Sequence, residues 1–291
     1  MRNSRFGILM PMMFGARAGN SGPVIQNHEI SFLAASLDPR VRFSAPAHSY
    51  LSQDGTIKQS AANEWPLQYM AGAAVGRHEP ERASTNYQPS TNFESIASLG
   101  PTEDWVYSGG TTVTVSDSSI GVKAAMSNPG SIFIALYSEV SAWIQQQLDP
   151  GDSGPWQSVM LKGSLPTASA LRWYTARQGT SLYLYGRTKV VPAGPIVASC
   201  YRKRSATSVD TALAQLEPGG NRTSPIINGV GVTGSRAAMS AYIDEPLASS
   251  ATVTFSNGSS VKLQAEAGRI TIPVTTSDWS TRFITNILLE Q

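Results

Sequence analysis

Cysteine occurs once in the 291 residues. The thiol of Cys200 therefore has no partner in the chain, which excludes an internal disulfide framework and a cysteine zinc site. It stands in the apolar run 196–200, the setting of a buried, reduced thiol. Charge is scarce too: Asp, Glu, Lys and Arg make up 14% of the chain and leave a formal net charge of +2. A nucleic-acid binder would show a basic stripe; the longest basic cluster here, Arg202-Lys203-Arg204, reads as an edge strand or solvated turn. Histidine is confined to His28, His48 and His78, with no Gly-x-Ser-x-Gly and no His-Glu-x-x-His, so nucleophilic and zinc hydrolysis lack their usual groups. No stretch reaches the roughly 18–20 apolar residues of a membrane span. No cofactor and no metal is expected.

Long amphipathic helical periods are also few, and what replaces them is alternation. "TTVTVS" (111–116), "SIFIALYS" (131–138), "ALRWYTA" (170–176), "SLYLYGR" (181–187) and "PIVASCY" (195–201) each place apolar residues at every second position. Turn signals separate them: Asn128-Pro129-Gly130, Asp149-Pro150-Gly151, Gln178-Gly179 and Pro192-Ala193-Gly194. Strands at this spacing predict an all-β chain built on an antiparallel β-sandwich or jelly roll over residues 92–246. Ahead of it, Asp54-Gly55 between "SYLS" and "TIKQS" predicts a hairpin, and 42–91 reads as a small hairpin module whose later part, from about Met70, is a linker or surface-hugging loop. After it, 247–291 reads as a small C-terminal β unit, strand–turn–strand–turn–strand through Asn257-Gly258 and Gly268. "SVDTALAQLE" (208–217) suits a helix or a strand equally.

Residues 1–41 form an extended N-terminal segment. "MRNSRFGILMPMMFGARAG" imitates a secretory leader, but Pro11 interrupts its apolar run. It is read as a docking segment, with Phe6, Ile8, Leu9, Met12 and Phe14 as the contact residues, over a leader or an intramolecular core strand.

Three groups of residues could carry chemistry. Gly229, Gly231 and Gly234 spell Gly-x-Gly-x-x-Gly, yet no clear strand precedes them and no helix follows. Asp244-Glu245 comes too early for a ribose partner, so the spacing is read as backbone freedom rather than a phosphate loop. Carboxylate pairs could be drawn from Glu94, Glu103 and Asp104, or from Asp149 and Asp152, and read better as solvated turns than as glycosidase or calcium groups. Trp143, Trp156, Trp173, Tyr174, Tyr183 and Tyr185 crowd the sandwich region. Alternation sends Leu171 and Trp173 to one face and Arg172 and Tyr174 to the other, so at least half belong to the core. Trp156, Trp173 and Tyr174 are the candidates for stacking on a sugar ring.

Four stretches together resemble the virion proteins of tailed phages and prophages. "RFSAPAHSYLSQDGTIKQSAANEWP" (42–66) is similar to a module running Phe-x-Arg-Ala-Ser-x-Ala-x-Tyr, then Asp-Gly-x-Ile-x-x-Ala-x-x-Asn-x-Pro, through Phe43, Ala47, Tyr50, Asp54, Gly55, Ile57, Ala61, Asn63 and Pro66. "GRHEPERASTNY" (76–87) resembles Gly-Leu-x-Ile-Glu-Pro-x-Arg-Thr-Asn-Leu through Glu79, Pro80, Arg82, Thr85 and Asn86. "NFESIASLGPTEDWVYSGGTTVTV" resembles the opening of that family's carbohydrate-binding-like sandwich, and "ALAQLEPGGNRTSPIINGVGVTGSRAA" (212–238) its recurrent ending. The chain departs from the pattern at Ala45-Pro46-Ala47, where the family has Arg-Ala-Ser, and at Arg77-His78, where it is apolar.

The resemblance implies a tail fibre, tailspike adaptor or similar virion part without catalysis. Such a part would be made and assembled in the bacterial cytoplasm, be homo-oligomeric (a trimer foremost), and contact other tail proteins. A receptor-recognition protein binding host surface glycan is the alternative, and a polysaccharide-degrading enzyme is the third reading. Nucleic acid and a membrane span are not expected.

Overall fold

Alternating Val, Ile, Thr and Phe with Gly-containing turns has one outcome throughout: antiparallel strands, with no helix among the described residues. The structure, a computed structural model, describes residues 23–25, 27–91, 105–108, 113–118, 121–127, 132–138, 143–148, 156–178, 182–204, 208–229 and 231–291. Those of 105–148, 173–178, 182–185, 204 and 208–209 are described as backbone.

The two ends of the chain build one unit. Ser250–Phe255 buries Ala251, Val253 and Phe255 on one face. It pairs with Ser260–Gln264 across the Asn257-Gly258 turn, where Gly258 has φ 81°, and on its other side with Ile284–Glu290. Glu29–Ser31 adds the far edge, with Ile30 opposite Ile287. A second sheet, Val41–Ser44, Ser240–Asp244 and Arg269–Ile272 in that order, contributes to the same core. Ile30, Phe32, Val41, Ile243, Ile270, Ile284 and Ile287 meet there with Trp65, which stacks on Phe43 (4.3 Å between ring centroids) and meets Phe32 edge-on (5.2 Å).

The boundaries drawn at 41/42 and 246/247 both fall inside this core. The strand–turn–strand–turn–strand order from Ser250 to Ile272 is as the sequence predicts, but the third strand leaves the sheet of the first two. Ala267 and Gly268, at φ 52° and 75°, swing the chain so that Arg269–Ile272 pairs with Ser240–Asp244 instead.

Between the ends lie two five-stranded antiparallel sheets. One runs Gln157–Leu165, Gly194–Arg204, Ser208–Pro218, Gly121–Ser127, Val113–Ser118. The other runs Trp143–Leu148, Ile132–Ser138, Leu171–Gln178, Leu182–Arg187, Trp105–Ser108. Residues 208–217, ambiguous in sequence, are strand. From Asp210 to Glu217 every residue is buried, odd and even alike, because residues 86–91 lie across this strand: Tyr87 N–H donates to the Leu216 carbonyl at 2.8 Å. The Asp54-Gly55 hairpin forms as expected between Ser49–Leu51 and Ile57–Gln59. The stretch from Met70 onward does not hug the surface. After a second hairpin, Gln68–Met70 with Ala73–Gly76, residues 76–81 and most of 84–91 are buried.

Candidate functional site

The buried stretch 76–91 is polar, so each of its groups needs a partner. It finds them in the terminal unit on one side and in residues 215–236 on the other. Arg77 N–H donates to the Ile284 carbonyl (3.0 Å) and Ile284 N–H returns a bond to the Arg77 carbonyl (2.7 Å). The Arg77 guanidinium, 3% exposed, donates to the carbonyls of Trp65, Ala34 and Ala35, and burial pulls its pKa below the usual arginine value.

Three carboxylates follow, each saturated. Glu79 takes two bonds from Arg282, at 2.7 and 2.8 Å, and that guanidinium lies over the Phe255 ring at 4.1 Å. Glu81 pairs with Arg236 at 2.6 Å and accepts both the N–H and the hydroxyl of Ser224 at 2.7 Å. Glu217, from the strand laid beneath, accepts from Thr223 N–H (3.0 Å) and hydroxyl (2.6 Å), from Gln215 and from Ser84.

Asn86 uses its whole amide. Its oxygen accepts Leu216 N–H and Gln88 N–H, and its nitrogen donates to the carbonyls of Ala214 and Ile226, all between 2.9 and 3.1 Å. Asn228 donates to the carbonyls of Asn86 and Gln88. A Cβ at Gly234 would come 2.0 Å from the Asn228 amide oxygen, which is what the last glycine of the Gly-x-Gly-x-x-Gly stretch is for. The strand it opens, Gly234–Arg236, pairs with Ser84–Asn86.

At the centre, His48 and His78 face each other with Nε2 atoms 2.9 Å apart, both at most 2% exposed. The Glu79 carbonyl, 2.7 Å from His78 Nδ1, can only accept, so His78 carries its proton there and offers a bare Nε2. His48 then donates from Nε2, and its Nδ1 accepts the Ser60 hydroxyl at 2.9 Å. That Nδ1 also lies 2.9 Å from the Pro46 carbonyl, which the opposite tautomer, with Nδ1 protonated, would satisfy instead. An extra proton on His78 is opposed first by burial, then by charge on His48, and further by Arg236 and Arg77; on His48 burial again leads and Arg236 adds to it, so His78 is pushed down to about 3 and His48 is lowered.

The unfolded chain takes up that proton near pH 6.5 and the folded one does not until about 3. Stability is therefore fully present above 6.5 and is lost as pH falls from 6.5 toward 3, by about 1.4 kcal/mol per pH unit for one fully shifted group. Urea midpoints at pH 7.5, 6 and 5 should fall steeply in the native chain. They should fall less steeply in His78→Gln, whose amide can still accept from His48 and donate to the Glu79 carbonyl. Equal slopes would refute the neutral pair.

This arrangement binds segments of the chain to one another. No family model, curated protein or solved structure matches the chain. Among the described residues no three His, Cys, Asp or Glu side chains gather as metal ligands, and no helix is long and apolar enough to cross a membrane. Cys200 is buried, and burial pushes its thiol up to about 12, which leaves it unreactive.

The residues expected to bind glycan are divided between the two five-stranded sheets. Trp156 is half-buried ahead of Gln157–Leu165, the edge of one five-stranded sheet. Trp173 and Tyr174 belong to Leu171–Gln178 in the other. There Leu171 is 2% exposed and Gly186 is buried, while Arg172 is half-buried and Arg187 exposed. Register places Trp173 across from Gly186 and Leu136, in the parity of buried Leu171. It places Tyr174 across from Tyr185 and Ala135, in the parity of Arg172. Phe6, Ile8, Leu9, Met12 and Phe14 lie outside the described residues, as do Glu94, Glu103, Asp104, Asp149 and Asp152.

Proposed function

We propose that the chain is a non-enzymatic structural component of a phage virion, a tail fibre or tail adaptor attached to the particle through its N-terminal segment. Its two five-stranded sheets would form a carbohydrate-binding-like sandwich. The supporting observation is where the residues of the resemblance sit. Glu79, Arg82, Thr85 and Asn86 from one stretch, and Gln215, Glu217, Thr223, Ser224 and Arg236 from another, hydrogen-bond into one joint between the terminal unit and the sheets. Carboxylates spent on such a joint suit a part that must carry force and hold shape. The exposed edge strand Ser260–Gln264 suits pairing within a homo-oligomer, a trimer foremost.

Mass spectrometry of purified particles from the encoding phage should find the chain. Deleting residues 1–22 should abolish incorporation while leaving the unfolding midpoint unchanged. The cut stops there because Ile25 and Ile30 belong to the core. Particles lacking the chain, or truncated protein still incorporated, would overturn the reading.

A second reading, recognition of host glycan, is favoured by the outward parity of one sheet. Trp143, Tyr137, Tyr174 and Tyr185 hold register positions on the face that carries Arg172 and Arg187.

A further inference from the structure

The four-stranded sheet of the terminal unit presents open backbone at both edges. Beside Ser260–Gln264, the Ser259 carbonyl accepts Phe255 N–H and Ala265 N–H donates to the Ser249 carbonyl, both at 2.9 Å. Antiparallel pairing alternates, so Val261 and Leu263 also bond inward, while Ser260, Lys262 and Gln264 turn their N–H and C=O outward. At the other edge, Phe32 N–H reaches the Thr285 carbonyl and Leu289 N–H the His28 carbonyl, which turns Glu29 and Ser31 outward. Among the described residues only one of these outward groups has a partner: Glu29 N–H meets the side-chain oxygen of exposed Asn27.

Apolar groups lie uncovered beside both edges. Val261 is on the core side of its strand, opposite buried Val253, yet is exposed. With exposed Val274 it borders a cleft of about 440 Å³, lined also by Val253, Phe255 and Ile272. Leu33, just past the other edge strand, is exposed as well.

Strand direction decides which edges can meet. Each of the four strands is antiparallel to the next, so the two edge strands run in opposite directions. Rotation about an axis along the strands therefore brings Ser260–Gln264 of one copy beside Glu29–Ser31 of the next as a further antiparallel pair, with core faces on the same side. Register follows from charge. With Lys262 opposite Glu29, unlike charges face each other on the outer surface, Ser260 meets Ser31 and Val261 meets Ile30. Lys262 keeps its bond to Glu290, and its ammonium has two further N–H to give. Pairing Ser260–Gln264 with itself about a twofold, in full overlap, would instead set Lys262 against Lys262, the repulsion by which edge lysines prevent self-pairing.

We infer that the chain assembles head to tail, the Ser260–Gln264 edge of one copy pairing with the Glu29–Ser31 edge of the next to continue one sheet around the oligomer. The inference rests on the homo-oligomer reading and names the surface that its copies share. So short a strand pair buries little by itself. Closure of the ring holds every copy at two edges and leaves neither edge of this sheet free.

Cross-linking reads the pairing directly, because the single cysteine is buried. Opposed hydrogen-bonded residues have Cα atoms about 5.5 Å apart, within disulfide range. Within one chain, three strand spacings, about 14 Å, keep the same two positions apart. Full-length Glu29→Cys and Lys262→Cys, each unlinked alone, should form a disulfide-linked pair when mixed under mild oxidation, and the double variant a covalent trimer. Lys262→Pro removes an outward N–H that the strand's own ladder does not use. It should keep the native circular-dichroism spectrum and weaken self-association at least about tenfold relative to Lys262→Ala, which loses the Glu290 ion pair equally.

Lys262→Cys linking to itself as readily as to Glu29→Cys overturns the head-to-tail arrangement. An oligomer that persists in Lys262→Pro and yields no link overturns the choice of edges and leaves the homo-oligomer reading standing. Sedimentation of the native chain as a monomer at every concentration removes both.

Discussion

Gly76→Ala is expected to loosen the terminal unit severely or unfold it, with a loss of about 2–6 kcal/mol. Two costs add there. The residue sits at φ 114°, a conformation that an L side chain adopts only at roughly 1–3 kcal/mol. A Cβ would also lie 2.2 Å from the carbonyl oxygen and 2.9 Å from the carbonyl carbon of Ile284. Those atoms are backbone and cannot rotate away, so strand or loop must move, at roughly 1–3 kcal/mol more. The movement falls on the Arg77–Ile284 pair of backbone bonds, the stitch between the buried stretch and the strand at the centre of the terminal core. Against a typical total of about 5–15 kcal/mol, that is a large share of the margin. Gly220→Ala is the control: its φ is ordinary and a Cβ there would meet nothing within 4 Å, so its urea midpoint should stay near the native value. If Gly76→Ala unfolds at the native midpoint, the close approach is not as described.

The same glycine marks where the sequence stops being legible. Turns written in two residues could be read directly: Asp54-Gly55 and Asn257-Gly258 both close the hairpins expected of them. Alternation likewise marked Ser250–Phe255 and, in the two larger sheets, Val113–Ser118, Ile132–Ser138, Leu171–Gln178, Leu182–Arg187 and Gly194–Arg204. Partners at the other end of the chain could not be read, because alternation says that Ile30 faces a core but not that Ile287 supplies it.

The segment from about Met70 to Asn92 reads as a linker or surface-hugging loop because it is rich in Gly, Pro, Glu and Arg. Polarity reports the cost of burial only when partners are unknown, and here Arg282, Arg236 and Ser224 supply them. One signal was available in advance. In a chain with 14% charged residues, Arg77-His78-Glu79-Pro80-Glu81-Arg82 is dense in charge, and Arg77-His78 is where the family pattern is apolar. Of the aromatics, the opposite faces of Trp173 and Tyr174 followed from alternation; which face is outward needed the burial of Leu171 beside exposed Arg187.

Removing one partner of the innermost ion pair is the second large effect. Glu81 and Arg236 have side chains 2% and 4% exposed and meet at 2.6 Å. Glu81→Ala leaves a guanidinium buried among Ser224 and the two histidines, and strips Ser224 of the acceptor for both its N–H and its hydroxyl. A buried pair broken on one side costs about 3–5 kcal/mol, mostly as the penalty on the charge left behind. Arg236→Met should cost a similar amount by stranding the carboxylate.

The double variant Glu81→Leu/Arg236→Met should recover a substantial part of the loss, because two apolar groups leave no charge unpaired and only the Ser224 bonds stay broken. A cycle of urea midpoints should therefore give a favourable coupling of more than about 1 kcal/mol. Additive losses would mean that the two side chains do not meet, and the joint proposed to hold a virion part rigid would lose its central bond. A rise in the apparent pKa of His48 and His78 in Arg236→Met is the accompanying signature, since Arg236 is one of the charges that lowers both.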